Sequence, residues 1–80
     1  MRYLKGMREA RERALLTQEA LSEKSGVTIS TISRIENGLQ AARISTIARL
    51  AAALGIHAEE LIDWERKTPQ MVGRRGKAAA

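Results

Sequence analysis

Residues 17–37 have the sequence TQEALSEKSGVTISTISRIEN, and much of the architecture can be inferred from them. Thr17 is a good N-cap, because its hydroxyl can accept a hydrogen bond from a free backbone N–H in the first turn of a helix. Gly26 ends that helix, since glycine readily adopts the positive φ found just past a helix end. Thr28 can cap a second helix in the same way. The stretch therefore predicts two short helices joined by a tight turn, at residues 18–25 and 28–37.

The second of these helices has two different faces. At about 100° per residue, Ile32 and Ile35 fall on one side, where they can enter an apolar core. The opposite side carries short polar side chains and one guanidinium, from Ser30, Ser33, Arg34 and Asn37. An α-helix fits the major groove of B-DNA, where Arg can pair with guanine and Ser can bond to several base edges. The polar face is therefore typical of a helix that reads DNA.

Apolar periodicity also predicts helices on both sides of this pair, and no stretch alternates long enough to form a strand. Ahead of the pair, apolar residues three or four apart predict a helix over residues 3–13. Behind it, the loop of residues 39–44 carries Arg43, and Ser45 is the expected N-cap of a fourth helix, which Gly55 ends. Both helices have an apolar face that can close a common core.

A fifth helix is predicted over residues 58–65. His57 occupies the capping position before it, and Glu60 lies three residues further on, which is a weak form of the capping box. Since every predicted element is helical, the expected fold class is all-α. The expected architecture is a compact five-helix bundle.

Length and composition limit the classes of protein that fit. Eighty residues are enough for one domain with one thin core. The absence of cysteine excludes disulfides and thiolate zinc sites, and it fits a reducing, cytoplasmic environment. No apolar run approaches the roughly 20 residues that span a bilayer, so no membrane partner is expected. The single histidine is accompanied by no Cys, no second His and no partnered nucleophile, so neither a metal, a cofactor nor catalysis is expected.

The positive charge is concentrated at the C-terminal end. Five of the 14 Lys and Arg residues lie in residues 65–80, together with only one of the nine acids. Pro69 and two glycines interrupt helical periodicity there, so residues 66–80 are expected to form a flexible basic tail after a domain of residues 1–65. A basic excess suggests an anionic partner, most commonly nucleic acid. A solvated tail kept charged for solubility is the alternative.

Across four elements the chain resembles the helix-turn-helix domains of phage repressor and Cro type. The resemblance runs from about Leu4 to Ile62, and it is carried by LTQEAL at 16–21, SGV at 25–27, TISRIENG at 31–38 and LAAALGI at 50–56. It implies the bundle of that family and a regulator that inserts its third helix into the major groove of double-stranded DNA. Leu15 stands where glycine is frequent in the family.

The resemblance also implies a role for individual residues. Gln18 would brace a phosphate and the adjoining end of the third helix, while Arg11 and Glu36 would pair and tie the first helix to the third. The positions that would read bases are Thr28, Ile29, Ser30, Ser33 and Arg34. Asn37 and Arg43 would lie near the DNA backbone. With the helix-start residue Thr17, the expected DNA-contacting set is Thr17, Gln18, Thr28, Ile29, Ser30, Ser33, Arg34, Asn37 and Arg43.

Several of these positions have a purely structural alternative. Ile29 lies at the edge of the apolar face, so it could be partly buried instead of meeting a thymine methyl group. Arg34 could be a solvated surface arginine, and Ser30 and Ser33 could be small surface residues. Gln18 could be an ordinary first-turn residue of its helix.

The expected function is sequence-specific, non-enzymatic regulation of transcription, in particular repression, by a homodimer on double-stranded DNA. The alternative is the antitoxin of a toxin–antitoxin pair, whose tail folds onto a toxin while its helices repress its own operon. RNA binding is disfavoured, because only Tyr3 and Trp64 are aromatic and neither lies on the third helix. Trp64 could form a partner surface with Met71 and Val72, or it could fold back onto the first helix.

Overall fold

A computed structural model describes residues 1–67 of the chain, and all of its regular elements are helical. They are α1 (Met7–Arg13), α2 (Gln18–Ser25), α3 (Ile29–Glu36), α4 (Ile44–Leu54) and a 3-10 turn (Ala58–Glu60). The all-α class is therefore confirmed, whereas the described residues form four helices and a 3-10 turn instead of five helices. Most of the predicted tail, including Met71 and Val72, lies outside the described residues.

The predicted caps of α2 and α3 are present. Thr17 Oγ1 accepts a hydrogen bond from the Ala20 amide at 3.0 Å, and Thr28 Oγ1 accepts one from the Thr31 amide at 3.4 Å. Gly26 ends α2 with φ of 79°, a conformation that would strain any side chain. The two helices are thus separated by a turn of fixed geometry, as the sequence predicts.

The core is aliphatic and lies among α2, α3 and α4. Leu21, Ile32 and Leu50 are completely buried, one from each of these helices. Other large side chains that are almost fully enclosed are Met7, Ile35, Ile47 and Leu61. Burying a side chain of this size stabilises the fold by about 1.5–3 kcal/mol. Ile32 and Ile35 together therefore determine which face of α3 is turned outward.

The first helix begins later than predicted, at Met7 instead of residue 3. Residues 2–5 are extended, and they lie between the α3–α4 loop and the segment after the 3-10 turn. Arg2 and Ala42 exchange two backbone hydrogen bonds of 2.8 Å, while Lys5 donates to Leu61 O at 2.7 Å. Because these backbone groups are paired across the chain, they are not available for helical hydrogen bonds. Gly6, with φ of 70°, then turns the chain into α1.

The predicted fifth helix is wrong beyond its first turn. The His57 side chain makes no capping hydrogen bond, and the helical turn ends at Glu60. Leu61 and Ile62 are both buried, and the backbone around them bonds to the N-terminal segment: the Asp63 amide donates to Tyr3 O at 2.9 Å. A continuing helix would have to give up these long-range bonds, which sequence periodicity does not reveal.

Trp64 lies at the surface after this turn. Its indole N–H donates to Glu59 O at 3.2 Å, and the Arg2 guanidinium lies 5.0 Å from the centre of its ring. The ring is therefore anchored to the segment that precedes α1. Because Met71 and Val72 lie outside the described residues, their proposed patch with Trp64 stays a prediction.

The fourth helix also starts earlier than predicted. Arg43, with φ of −70° and ψ of 155°, occupies the N-cap position, so Ser45 lies inside α4 and is not its cap. No side chain caps this helix. Among residues 1–67, no helix is both long enough and apolar enough to cross a membrane.

The turn between α1 and α2 holds a side chain in a glycine conformation. Leu15 has φ of 60° and is 91% exposed. The Leu15 amide donates to Glu12 O and the Leu16 amide to Arg11 O, both at 3.0 Å, which is the hydrogen-bond pattern that favours glycine after a helix end. Leu15 therefore adopts the left-handed backbone conformation that glycine favours at this position.

We expect Leu15→Gly to stabilise the protein by about 0.5–1 kcal/mol. A side chain in the left-handed conformation costs about 1–2 kcal/mol, and part of this gain is offset because glycine loses more conformational entropy on folding. Ala14→Gly is the matched control, since Ala14 has an ordinary φ of −80° and should lose stability. Thermal unfolding of both variants measures the difference. Equal destabilisation by the two substitutions would contradict the assigned backbone conformation.

Candidate nucleic-acid interface

The outward face of α3 carries the residues that the sequence predicts to read bases. Ser30 and Arg34 are exposed, and Ser33 is half-buried between them and the core. Thr28, at the N-cap, and Asn37, just past the last turn, are also exposed. Ile32 and Ile35 are buried on the other side, so the predicted division of the helix into two faces is confirmed.

Ile29 lies between the two faces. Ile29 is 41% exposed, so it is partly buried and still presents apolar surface to the outside. The Thr28 hydroxyl is used within the helix, because it donates to Thr31 Oγ1 at 2.9 Å as well as accepting from the Thr31 amide. Thr28 therefore presents mainly its methyl group and the remaining lone pair of its oxygen. Thr31 was not predicted as a site residue, although it orients Thr28.

The shape of this face suits a groove. An α-helix with its side chains is about 10–12 Å wide, and the major groove of B-DNA is about 12 Å wide. Ser30 and Ser33 are too short to hold a partner away from the helix, so the backbone of α3 can approach closely. Arg34 projects a planar guanidinium from the same surface, and its five N–H donors match the acceptors of guanine.

The start of α2 lies beside the end of α3. Thr17 is exposed, and Gln18 is half-buried. Gln18 Nε2 donates to Glu36 Oε1 at 3.1 Å, so Gln18 is more than an ordinary first-turn residue. The backbone N–H groups at a helix start favour an anion, because they carry the positive end of the helix dipole. This arrangement can place a phosphate at α2 while α3 meets the bases.

Arg11 and Glu36 form the predicted ion pair. Arg11 Nε lies 2.7 Å from Glu36 Oε2, and the two side chains are only 11% and 4% exposed. Arg11 Nη1 also donates to Leu16 O at 2.8 Å, and Nη2 donates to Glu36 Oε1 at 3.4 Å. The pair and Gln18 together connect α1, the α1–α2 turn, α2 and the end of α3. Among the described residues, no buried side-chain nitrogen or oxygen is left without a hydrogen bond.

The environment keeps the guanidinium charged. The hydrogen bond to Glu36 raises the pKa of Arg11 above its ordinary value, and the negative charge of Glu36 adds to this against the opposing effect of burial. A raised pKa for a base stabilises the fold below the ordinary arginine pKa, and this contribution is lost only as the pH rises through the higher folded value. The charged Arg11 guanidinium therefore contributes the same stabilisation at every pH in the neutral range.

Arg43 approaches the site from the α3–α4 loop. It is exposed, and together with Thr31, Gln40 and Thr46 it lines a groove of about 330 Å³ between α3 and the start of α4. The structure therefore brings Arg43 next to α3, whereas its expected contact with the DNA backbone stays a prediction. It also brings in a residue that sequence reasoning assigned only to the tail: the Arg66 guanidinium lies beside Gly38, at the end of α3. No spacing rule connects residues 28 positions apart.

Comparisons with known proteins agree with this arrangement. The family described as helix-turn-helix matches residues 7–61. Among solved structures, the restriction-modification controller protein C.AhdI from Aeromonas hydrophila is similar, with 35% identity, coverage of 68% of this chain and 82% of that chain, and a TM-score of 0.65. The hypothetical transcription factor NHTF from Neisseria is also similar, with 32% identity, coverage of 76% and 71%, and a TM-score of 0.65. No curated protein matches the sequence.

We expect Arg11→Met to destabilise the protein by about 3–5 kcal/mol, because it leaves the buried Glu36 carboxylate without its cationic partner. Adding Glu36→Leu should recover most of that loss, since it removes the uncompensated charge. Arg8→Met is the control on the same helix: Arg8 and Glu12 lie 3.9 Å apart with side chains 66% and 63% exposed, so the loss should be below about 1 kcal/mol. Urea unfolding measures all three. A double variant no more stable than Arg11→Met would contradict the proposed energetics.

Proposed function

Because the chain belongs to the helix-turn-helix family, whose regulators bind double-stranded DNA, we propose that it is a sequence-specific repressor of transcription that inserts α3 into the major groove. The observation that carries the proposal is the outward polar face of α3, held by the buried Ile32 and Ile35. The family consists of DNA-binding regulators and not of enzymes as a rule. The proposed activity is accordingly binding alone, without catalysis, metal or cofactor.

Base reading is assigned to the outward face of α3, from its N-cap Thr28 to Arg34 in its last turn. Arg34 can donate two parallel hydrogen bonds to O6 and N7 of a guanine, whereas Ser30 and Ser33 can bond to several base edges. Ile29 keeps enough exposed surface to contact a thymine methyl group, and Thr28 can do so with its own methyl group. Together these five residues offer both polar and apolar recognition along one face.

Backbone contacts are assigned to residues around this face. Thr17 and Gln18 lie at the start of α2, where free backbone N–H groups favour a phosphate. Asn37 and Arg43 lie beyond the other end of α3, on the exposed surface of the α3–α4 loop. Phosphate contacts orient a protein on a duplex without reading its sequence. Two groups of contacts on either side of α3 would hold it along the groove.

One such module offers few base contacts, so the proposed DNA-bound form is a homodimer on a pseudo-palindromic site. Half-sites about 34 Å apart, or a multiple of this, would place both copies on the same side of the duplex. Leu39 and Ile44 are candidates for the interface, since they are 75% and 63% exposed at the two ends of the α3–α4 loop. Of the four residues between them only Arg43 is charged, and it is assigned to the DNA backbone.

The likeness to C.AhdI, at 35% identity over 68% of this chain, favours a narrower candidate function. Because C.AhdI is a restriction-modification controller, the genes controlled by this chain could be those of such a system. Neighbouring reading frames for a methyltransferase and an endonuclease would support this candidate. A neighbouring small toxin that co-purifies with the chain would support the antitoxin alternative instead.

We expect Arg34→Ala to weaken binding to the preferred site by about 1–3 kcal/mol and to change binding to random duplex little, because it removes base contacts. The measurement is selection of bound sequences from a random duplex pool with the wild type and the variant, followed by titration. Arg13→Ala is the control, because Arg13 lines a groove between α1 and the end of α4 and no residue of α3 lines that groove. Equal losses on preferred and random DNA would assign Arg34 to a phosphate instead of a base. Failure of the wild type to select any sequence would overturn the proposed function.

We expect Leu39→Ser combined with Ile44→Ser to abolish cooperative binding to paired half-sites, because burying each of these side chains is worth about 1.5–3 kcal/mol. Binding to an isolated half-site should stay close to that of the wild type. Leu15→Gly, which removes an even more exposed leucine from the α1–α2 turn, is the control. Sedimentation of each variant with a paired site measures the stoichiometry, and unchanged cooperativity would exclude this loop as the interface.

A further inference from the structure

Arg66 is held by contacts at both its side chain and its backbone. Its guanidinium carbon lies 3.6 Å from the centre of the Tyr3 ring, and its amide donates to Asp63 Oδ1 at 3.2 Å. The Asp63 amide in turn donates to Tyr3 O at 2.9 Å. A cation stacked on an aromatic face is attracted by the ring and loses little freedom when it then binds a ligand. The Tyr3 ring and the Asp63 carboxylate thus hold an exposed arginine against the N-terminal segment.

This orientation brings the guanidinium to the end of α3. Arg66 Nη1 would lie 3.1 Å from a Cβ atom placed on Gly38, so the two residues are in close contact. Gly38 follows Asn37, which is exposed, and it comes four residues after Arg34. Arg66 therefore lies at the same end of α3 as Arg34, which is in the last turn of the helix.

The contact with the helix end does not use the hydrogen-bond donors of Arg66. The last carbonyls of α3 already accept backbone N–H groups: Ser33 O from Asn37, Ile35 O from Gly38, and Arg34 O from Leu39, at 2.9–3.1 Å. Within residues 1–67 no acceptor forms a hydrogen bond with the Arg66 guanidinium. Within the described part of the chain, the planar N–H donors of this guanidinium are thus left for a ligand.

We infer that Arg66 contacts a DNA phosphate beside the C-terminal end of α3 and that Tyr3 positions it for this contact. The inference rests on the proposed function, since it requires α3 to lie in a major groove. A guanidinium forms two parallel hydrogen bonds to a phosphate, which suits a fixed and planar donor. Arg66 would then belong to the folded binding surface and would not be the first residue of an independent tail.

Gly38 is part of the same site. At 3.1 Å from Nη1, a Cβ atom would press on the guanidinium, and the φ of 72° at this position would also strain a side chain. A residue without a side chain therefore leaves room for Arg66 between Tyr3 and the helix end. The contact could not be recognised from the resemblance to other helix-turn-helix domains, because that resemblance covers residues only up to about 62.

The test is the salt dependence of binding to random duplex by the full chain. Each phosphate contact contributes about 0.9 to the slope of log affinity against log salt. Arg66→Gln should reduce the slope by about 0.9. If the loss vanishes near 1 M salt, this slope gives an affinity about fivefold lower at 0.15 M salt. Lys67→Gln removes a neighbouring charge as the matched control, and it should change the slope less.

Tyr3→Leu tests the positioning. The charge of Arg66 remains in this variant, so affinity should fall less than in Arg66→Gln, by about twofold, which is a fraction of the loss of one contact. Tyr3→Leu combined with Arg66→Gln should bind no more weakly than Arg66→Gln alone. A merely structural role for Tyr3 would add its loss to that of Arg66, because it would not act through the guanidinium. Thermal unfolding of each variant checks that the fold is intact.

The outcomes separate this inference from the proposed function. Wild-type binding with an unchanged slope in Arg66→Gln would overturn the phosphate contact and leave the proposed function standing. Equal slopes for Arg66→Gln and Lys67→Gln, or additive losses with Tyr3→Leu, would overturn the positioned contact and reduce it to general charge attraction. Failure of the wild type to bind any duplex at 0.05 M salt would overturn both.

Discussion

The carboxylate of Glu36 is the point at which α1, α2 and α3 are joined. It is 4% exposed at the end of α3, and it accepts hydrogen bonds from Arg11 on α1 and Gln18 on α2. A buried charge without partners costs several kcal/mol, so none of these side chains can move away without leaving another unpaired. The relative position of α2 and α3 is therefore fixed before any ligand binds. The proposed DNA contacts require this, because the start of α2 and the outer face of α3 must meet one duplex together.

On this frame the two sides of α3 have different tasks. Ile32 and Ile35 supply the burial that holds the helix, while Ser30, Ser33 and Arg34 remain outside with little bulk. Positive charge accompanies the exposed side: Arg34 on the helix, Arg43 on the following loop and Arg66 at the helix end. The one acid of α3 is neutralised by Arg11, so it does not repel a polyanion. A surface of this kind combines short-range base contacts with salt-dependent attraction to the backbone.

The parts of this structure that could be predicted are those with local causes. The caps Thr17 and Thr28, the glycine at 26 and the spacing of Ile32 and Ile35 act within one or two turns, so the helix–turn–helix could be recognised from its sequence. The ion pair of Arg11 and Glu36 was predictable only through the resemblance to a known family. The late start of α1 and the missing fifth helix could not be predicted, because backbone groups of residues 2–5 bond to segments about 40 and 60 positions away. The contact of Arg66 with Gly38 depends on the same long-range pairing, and helical periodicity carries no trace of it.

Backbone amide shifts of the labelled protein, titrated with a duplex selected from a random pool, show which surface contacts DNA. If α3 enters the major groove, the largest changes fall at residues 17–18 and along 28–37, whereas the amides at the C-terminal end of α4 stay close to their free positions. Changes that cluster instead on α1 and the end of α4, with α3 unaffected, would contradict this placement, because the helix assigned to the groove would then not be in contact with DNA.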